Sequence, residues 1–148
     1  MIVRVNRRSA ALRTGAVALL VLLAAAASAA ARLRLPASRA TATNVYTLVA
    51  FEQASASTRA ANFELRICAT SKAPISNLVE TELFSITLAG GATVAHTGAG
   101  PKQPALDVVG LPAGHCVEGW LTWKLPGRQH VKALTYSLGS RTLTWRVG

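Results

Sequence analysis

Three observations in the last third of this 148-residue chain predict an all-β, antiparallel fold. Apolar and polar residues alternate through LPAGHCVEGWLTWKLPGRQHVKALTYSLGSRTLTWRV (Leu111 to Val147), the period of half-buried strands. Gly139-Ser140 separates two such runs with Gly at the first central position, as a type II′ hairpin turn requires. That turn sets Leu138 against Arg141, Tyr136 against Leu143 and Leu134 against Trp145, so the apolar members meet on one side.

From the N-terminus, the chain first reads as an export signal. Arg4, Arg7, Arg8 and Arg13 precede an uncharged run from Gly15 to Ala31, densest at Ala16 to Leu23, and Ala27-Ser28-Ala29 supplies small residues for processing. An uncleaved anchor helix is the alternative, since the 17 uncharged residues reach the lower edge of a bilayer span. Asn6, Ser9 and Ala10 fit a twin-arginine signal poorly, and no cysteine follows the apolar run to take a lipid. Residues 1–31 are therefore assigned as signal peptide or signal-anchor helix. Segment 32–42 (RLRLPASRATA) has no periodicity and is assigned as a linker. Residues 43–148 form the folded domain, large enough for a two-layer sandwich.

Short strands fill that domain. Val45 to Phe51 is the first, with Val45, Thr47, Val49 and Phe51 expected to share one side. Gln53 to Ala60 is a polar connection. Phe63, Leu65 and Ile67 alternate with Asn62, Glu64, Arg66 and Cys68 in a second strand, which the Pro74 region ends. Phe84, Ile86 and Leu88 bury a third, and Gly90-Gly91 turns it into Thr93 to His96. Thr97 to Pro104 is a Gly/Pro loop, Leu106 to Val109 a short strand, and Leu111 to Gly114 a tight turn. In the next strand Val117, Leu121, Trp123 and Leu125 face inward, with Cys116, Glu118, Trp120, Thr122 and Lys124 on the other face. Leu134, Tyr136 and Leu138, then Leu143, Trp145 and Val147, complete the buried set. Seven or eight short strands without a helix predict an antiparallel sandwich.

Charge narrows the partners. The net +10 is concentrated at the N-terminus: seven of 16 basic residues precede Thr41, leaving nine against six acids, or +3. Those nine are scattered, and nucleic-acid binding wants a clustered basic stripe, so none is expected. Contact with a membrane is expected only through residues 15–31, if they are retained.

Cys68 and Cys116 share parity with outward polar neighbours, and two lone cysteines in an exported chain imply one disulfide. The parity predicts a bridge between neighbouring strands or strand ends near the surface, unless a bulge reverses it. No Cys-x-x-Cys is present for redox work.

Other chemistries lack their parts. His96, His115 and His130 each border a turn and read as exposed loop histidines, with convergence at one end of the sandwich as the alternative. No metal or cofactor is expected. Asp107 is the sole Asp and no nucleophile-elbow glycines frame a Ser. A carboxylate pair among Glu52, Glu64, Glu80, Glu82 and Glu118 would be needed for glycoside hydrolysis. Trp120 stands on the outward face, either packed over the disulfide or sheet or marking a contact surface.

The run Leu111-Pro112-Ala113-Gly114-His115-Cys116-Val117-Glu118-Gly119-Trp120-Leu121-Thr122-Trp123, then Leu125-Pro126 and the later Leu134-Thr135-Tyr136, resembles secreted bacterial proteins of the telokin-like, immunoglobulin-like domain-of-unknown-function family. The shared features are a Pro-Gly turn, a Gly-Trp strand start, a further aromatic and a closing Pro. Asn62 to Cys68 resembles an earlier strand of the family, but Ala69-Thr70-Ser71 replaces its Asn-containing turn. The resemblance implies an immunoglobulin-like antiparallel β-sandwich outside the cytoplasm, and it brings no catalytic residues.

The expectation is an exported, non-catalytic module, monomeric or weakly dimeric, that contacts an unknown protein partner in or beyond the cell envelope. Trp120, His96, His115 and His130 are its candidate contact residues. One alternative is a small-molecule or peptide binder using the 97–114 loop, favoured by an apolar cleft there. The other is a hydrolase, which needs two titratable groups converging in a pocket.

Overall fold

Ten strands and a single turn of 3-10 helix (Thr81–Leu83) make up the computed structural model, which describes residues 34–148 except Ala56, Ala99, Pro126 and Arg128. The expected leader, residues 1–31, lies outside the described residues. The strands are β1 Ala37–Ala40, β2 Asn44–Glu52, β3 Ala60–Ala69, β4 Leu78–Val79, β5 Phe84–Leu88, β6 Thr93–Ala95, β7 Val109–Gly110, β8 Cys116–Lys124, β9 Val131–Leu138 and β10 Arg141–Arg146. One antiparallel sheet runs β1-β2-β3-β8, a second β10-β9-β5-β6, and β4 pairs with β7 as a separate ribbon.

The inward faces of both sheets supply one apolar cluster. Phe63, Leu65 and Ile67 of β3, Phe84 and Ile86 of β5, Leu121 of β8 and Leu134 of β9 are all buried in it. At its centre the rings of Tyr46 and Tyr136 lie 4.6 Å apart, and that of Phe84 lies 4.9 Å from Tyr136. Burial, and next to it the Tyr46 hydroxyl, push the Tyr136 phenol well above its usual range. Two indoles tie the sheets at their edges. Trp145 Nε1 of β10 donates to the Ala37 carbonyl of β1 at 2.9 Å, and Trp123 Nε1 of β8 donates to the Val94 carbonyl of β6 at 3.1 Å.

The C-terminal hairpin has the expected register: Leu138 pairs with Arg141, Tyr136 with Leu143 and Leu134 with Trp145. Its turn places Gly139 at φ 56° with no positive φ at Ser140, the pattern of type II′. Leu138, however, is 45% exposed. The β5 register stops at Phe84↔Tyr136, so no third strand flanks the hairpin tip and nothing covers Leu138.

Three further expectations change. In β2 the buried side is Tyr46 and Leu48, not Val45, Thr47 and Val49, which are half-buried. Apolar residues occupy both phases of VYTLVAF, and a bulge between Leu48 and Ala50 shifts the phase so that Phe51 rejoins the inner side against Phe63. The 32–42 stretch, expected as a linker, contains β1, whose four residues pair with Val45 to Leu48. The strand expected at Leu106 to Val109 is instead β7, at Val109–Gly110, with Leu106 buried in a separate segment.

Cys68 and Cys116 are bonded. They face each other across β3 and β8 at the last pair of the ladder, with Cα atoms 4.0 Å apart. The adjacent pair is bonded through Ala69 N–H to the His115 carbonyl, so the cysteines occupy a non-hydrogen-bonded pair, where strands approach most closely. Cys116 is exposed and Cys68 half-buried, matching the near-surface bridge expected from parity. Closing a 48-residue separation removes about 4 kcal/mol of unfolded-chain entropy on the loop model. Reductant should therefore lower the urea midpoint of the wild type, and the Cys68→Ser/Cys116→Ser variant should match the reduced protein and ignore reductant. An unchanged wild-type midpoint would show that the bridge adds no stability.

Candidate functional site

The outward side of β8 carries most of the polar structure. Trp120 is half-buried, and the Lys102 ammonium lies 4.2 Å from the centre of its ring, a cation–π contact. Lys102 also pairs with Glu52, whose other carboxylate oxygen accepts from Asn62 Nδ2 at 3.0 Å. With its amide nitrogen on a carboxylate, Asn62 must present Oδ1 to Thr122, so the Thr122 hydroxyl donates to it at 2.9 Å. The Lys102 bond holds the Glu52 carboxyl below the usual carboxylate range, with the Asn62 amide adding and burial opposing. Further along, Arg66 and Glu118 form an exposed ion pair at 2.5 Å.

Trp120 is also strapped by backbone. Its N–H donates to the Pro104 carbonyl at 2.8 Å, and its carbonyl accepts from Leu106 N–H at 2.9 Å. This strap, with Ala105 bridged in parallel to Trp120, closes part of the free edge of β8. It passes so near Gly119 that a Cβ there would sit 2.9 Å from both the Leu106 nitrogen and the Pro104 oxygen. Because those are backbone atoms, Gly119→Ala should destabilise by about 1–3 kcal/mol in a urea titration. Gly110→Ala, where a Cβ meets nothing within 4 Å, is the control and should be near neutral. Equal midpoints for the two variants would mean that the strap moves freely.

Beside the strap lies a cavity of about 390 Å³. Thr97, Gly98 and Gly100 of the loop after β6 line one side, and Thr122, Trp123 and Lys124 line the other. Lys124 is the titratable group of that lining among the described residues, and it belongs to neither ion pair seen there.

His96 is not in an exposed turn. It is 4% exposed, its ring 4.9 Å from that of Trp123, and neither ring nitrogen has a hydrogen-bond partner among the described residues. Its N–H bonds the Phe84 carbonyl, continuing the β5–β6 ladder and turning the ring inward with Phe84. His115 and His130 are exposed. The three do not converge: His115 precedes β8, whereas His96 packs on Trp123, about 27 Å away along that strand. The His130 carbonyl is bonded to Ala89, beyond the end of β5 opposite to Phe84. Among the described residues no group of three or more His, Cys, Asp and Glu side chains could hold a metal ion.

Burial holds the His96 pKa below the ordinary 6.5, with Asp107 opposing. The unfolded chain therefore takes the proton more readily than the folded one, and stability falls as pH drops below about 6.5. His96→Phe keeps a ring on Trp123 and should remove this part of the acid loss. Parallel stability–pH curves for the two proteins below pH 6.5 would show that His96 has no part in it.

Two residues of structural consequence escaped the sequence reading. Asn77 Nδ2 donates to Asn44 Oδ1 at 2.9 Å and to the Leu111 carbonyl at 2.8 Å, while Asn44 Nδ2 reaches Tyr46 Oη at 3.2 Å. This buried network fixes β4 to β2 and to the turn before β8. In sequence, Asn77 looks like any turn residue. The β4–β7 ribbon it anchors turns Val79 fully inward and leaves Leu78 53% and Val108 52% exposed on the opposite face, with Ile75 wholly exposed in the preceding turn.

No family model, curated protein or solved structure matches the chain.

Proposed function

We propose that the chain is an exported, disulfide-stapled, immunoglobulin-like β-sandwich that works by non-covalent protein contact, through the β4–β7 ribbon. Connectivity supports the fold reading. The order β2-β3-β8 against β10-β9-β5-β6, with crossovers after β3, β6 and β8, corresponds to strands A-B-E and G-F-C-C′ of an immunoglobulin frame. In that frame the disulfide joins B and E within one sheet, not B and F across the sandwich. The basic and apolar leader and an oxidised cysteine pair support export. No helix among the described residues is long and apolar enough to cross a membrane.

The observation that carries the contact reading is the placement of exposed apolar side chains. Of the five large ones among the described residues, Leu78 lies in the ribbon, Val108 immediately before β7 and Ile75 in the turn before β4. Gly110 stands opposite Leu78, so no side chain shields it across the ladder. Glu80, Glu82 and Asp107 are exposed nearby in sequence, and none is in an ion pair among the described residues. An apolar centre with an acidic rim suits a partner surface of apolar residues edged by Lys and Arg. Trp120, strapped and covered by Lys102, is better explained as packing.

Three baits test this against cell-envelope extract: wild type, Trp120→Ala and Leu78→Asp/Val108→Asp. A partner recovered with the first two should be lost with the third, and its affinity as a purified protein should fall with added salt. Equal recovery with all three baits would remove the ribbon from the interface.

A further inference from the structure

We propose that the free edge of β10 takes up an extended acidic segment of a partner protein as an added β-strand, with arginines at both ends of the edge holding its carboxylates. This surface is separate from the ribbon, and either proposal can fail alone.

The ladder shows which backbone groups are available. Val147 N–H donates to the Lys132 carbonyl, so those two residues form a hydrogen-bonded pair. Antiparallel pairing alternates from there. Trp145, Leu143 and Arg141 bond β9 in the same way, and Thr142, Thr144 and Arg146 turn their N–H and C=O groups to the other side. On that side β10 is the last strand of its sheet, and no backbone group among the described residues bonds those three. All three are exposed. From Thr142 to Arg146 the edge runs about 13 Å. Its neighbour across the margin, β1, gives the Ala37 carbonyl to the Trp145 indole but spends its own ladder on β2, leaving the β10 backbone unpaired. An exposed edge of this kind is a template for another strand.

Charge selects the strand. Arg141 and Arg146 stand at the two ends of β10, and Arg39 stands on β1 two residues beyond Ala37. All three are exposed, and none is in an ion pair among the described residues. β1, β9 and β10 contain no Asp or Glu. Glu80 and Glu82 precede β5, which pairs with β9 on the side away from β10. A second copy would bring the same arginines to the edge, basic against basic, which disfavours self-pairing. An acidic strand meets the arginines and the open backbone groups together. Arg141 and Arg146 are five residues apart and so lie on opposite faces of β10. The added strand therefore needs a carboxylate near each end, one on each of its faces.

The test follows amide exchange and amide chemical shifts of the full chain during titration with acetylated, amidated hexapeptides. Without peptide, Thr142, Thr144 and Arg146 should exchange fast, and Leu143 and Trp145 slowly. The peptide ETVTVE at millimolar concentration should slow the first three and move their signals, and KTVTVK should do neither. Arg141→Gln/Arg146→Gln should weaken binding of ETVTVE about fivefold, the worth of two exposed ion pairs. Thr144→Pro removes an N–H that β9 does not use, so it should keep the fold and abolish binding. ETVTVE with its backbone amides N-methylated should fail to bind wild type, which tests the same pairing without altering the protein. Slow exchange of the three edge amides in free protein, shifts confined to other residues, or equal binding of the two peptides would each overturn the proposal. So would undiminished binding of the N-methylated peptide, or dimerisation of the chain through β10.

Discussion

Two hydrogen bonds from tryptophan hold the edges of the molecule together. Trp145 and Trp123 sit in the shared core, where an indole N–H left without a partner would cost about 1–3 kcal/mol. Each finds a backbone carbonyl on the opposite sheet: Ala37 on β1 for Trp145, Val94 on β6 for Trp123. Because β1 and β10 form one margin and β8 and β6 the other, the two bonds fasten both sides. The disulfide acts differently. It joins β3 and β8, already neighbours in one sheet, and adds nothing between the sheets. Cohesion across the core rests on apolar packing, these two indoles and the Gln53 side chain, which donates to the Gln129 carbonyl and accepts from Val131 N–H of β9, and the disulfide limits the unfolded chain.

This division explains which features could be read from the residues. Phe63, Leu65 and Ile67, or Phe84, Ile86 and Leu88, occupy one phase of a strand with polar neighbours in the other, so their buried faces were legible. The type II′ turn fixed the C-terminal register locally. In β2 both phases are apolar, and a bulge at Val49 has no signature in a single sequence. The strand β1 was hidden for a related reason: of its four residues only Ala37 is buried, so it has no apolar alternation. It is held by pairing to β2 and by the Trp145 bond, both made with residues distant in sequence. The same applies to the candidate sites. The Cys68–Cys116 pairing followed from the presence of just two cysteines and its near-surface place from parity, whereas the cavity, the strap and the exposed ribbon depend on where a Gly/Pro-rich loop lands.

His96 shows how a local reading fails. It follows β6 and stands two residues before Gly98, which suggests an exposed turn. Its backbone nevertheless continues the ladder to Phe84, and that parity carries the imidazole inward against Trp123. Asn77 is a parallel case. Its amide nitrogen is used inside the protein, on Asn44 Oδ1 and the Leu111 carbonyl, just before β4 begins.

The segment between β6 and β8 links these features. In the immunoglobulin frame proposed above, a strand D would run antiparallel along the edge of E, the strand corresponding to β8. Here the chain crosses over Thr122 at Gly100, sets Lys102 on Glu52 and Trp120, and makes a parallel bridge only at Ala105. It then leaves β8 to pair as β7 with β4. A parallel strap of this length bonds the backbone of Trp120, and Gly100 packs against the Thr122 side chain. The residues that would have continued an antiparallel D strand instead form the ribbon that exposes Val108. One departure from edge pairing thus covers Trp120 and Thr122 of β8 and leaves Leu78 and Val108 exposed.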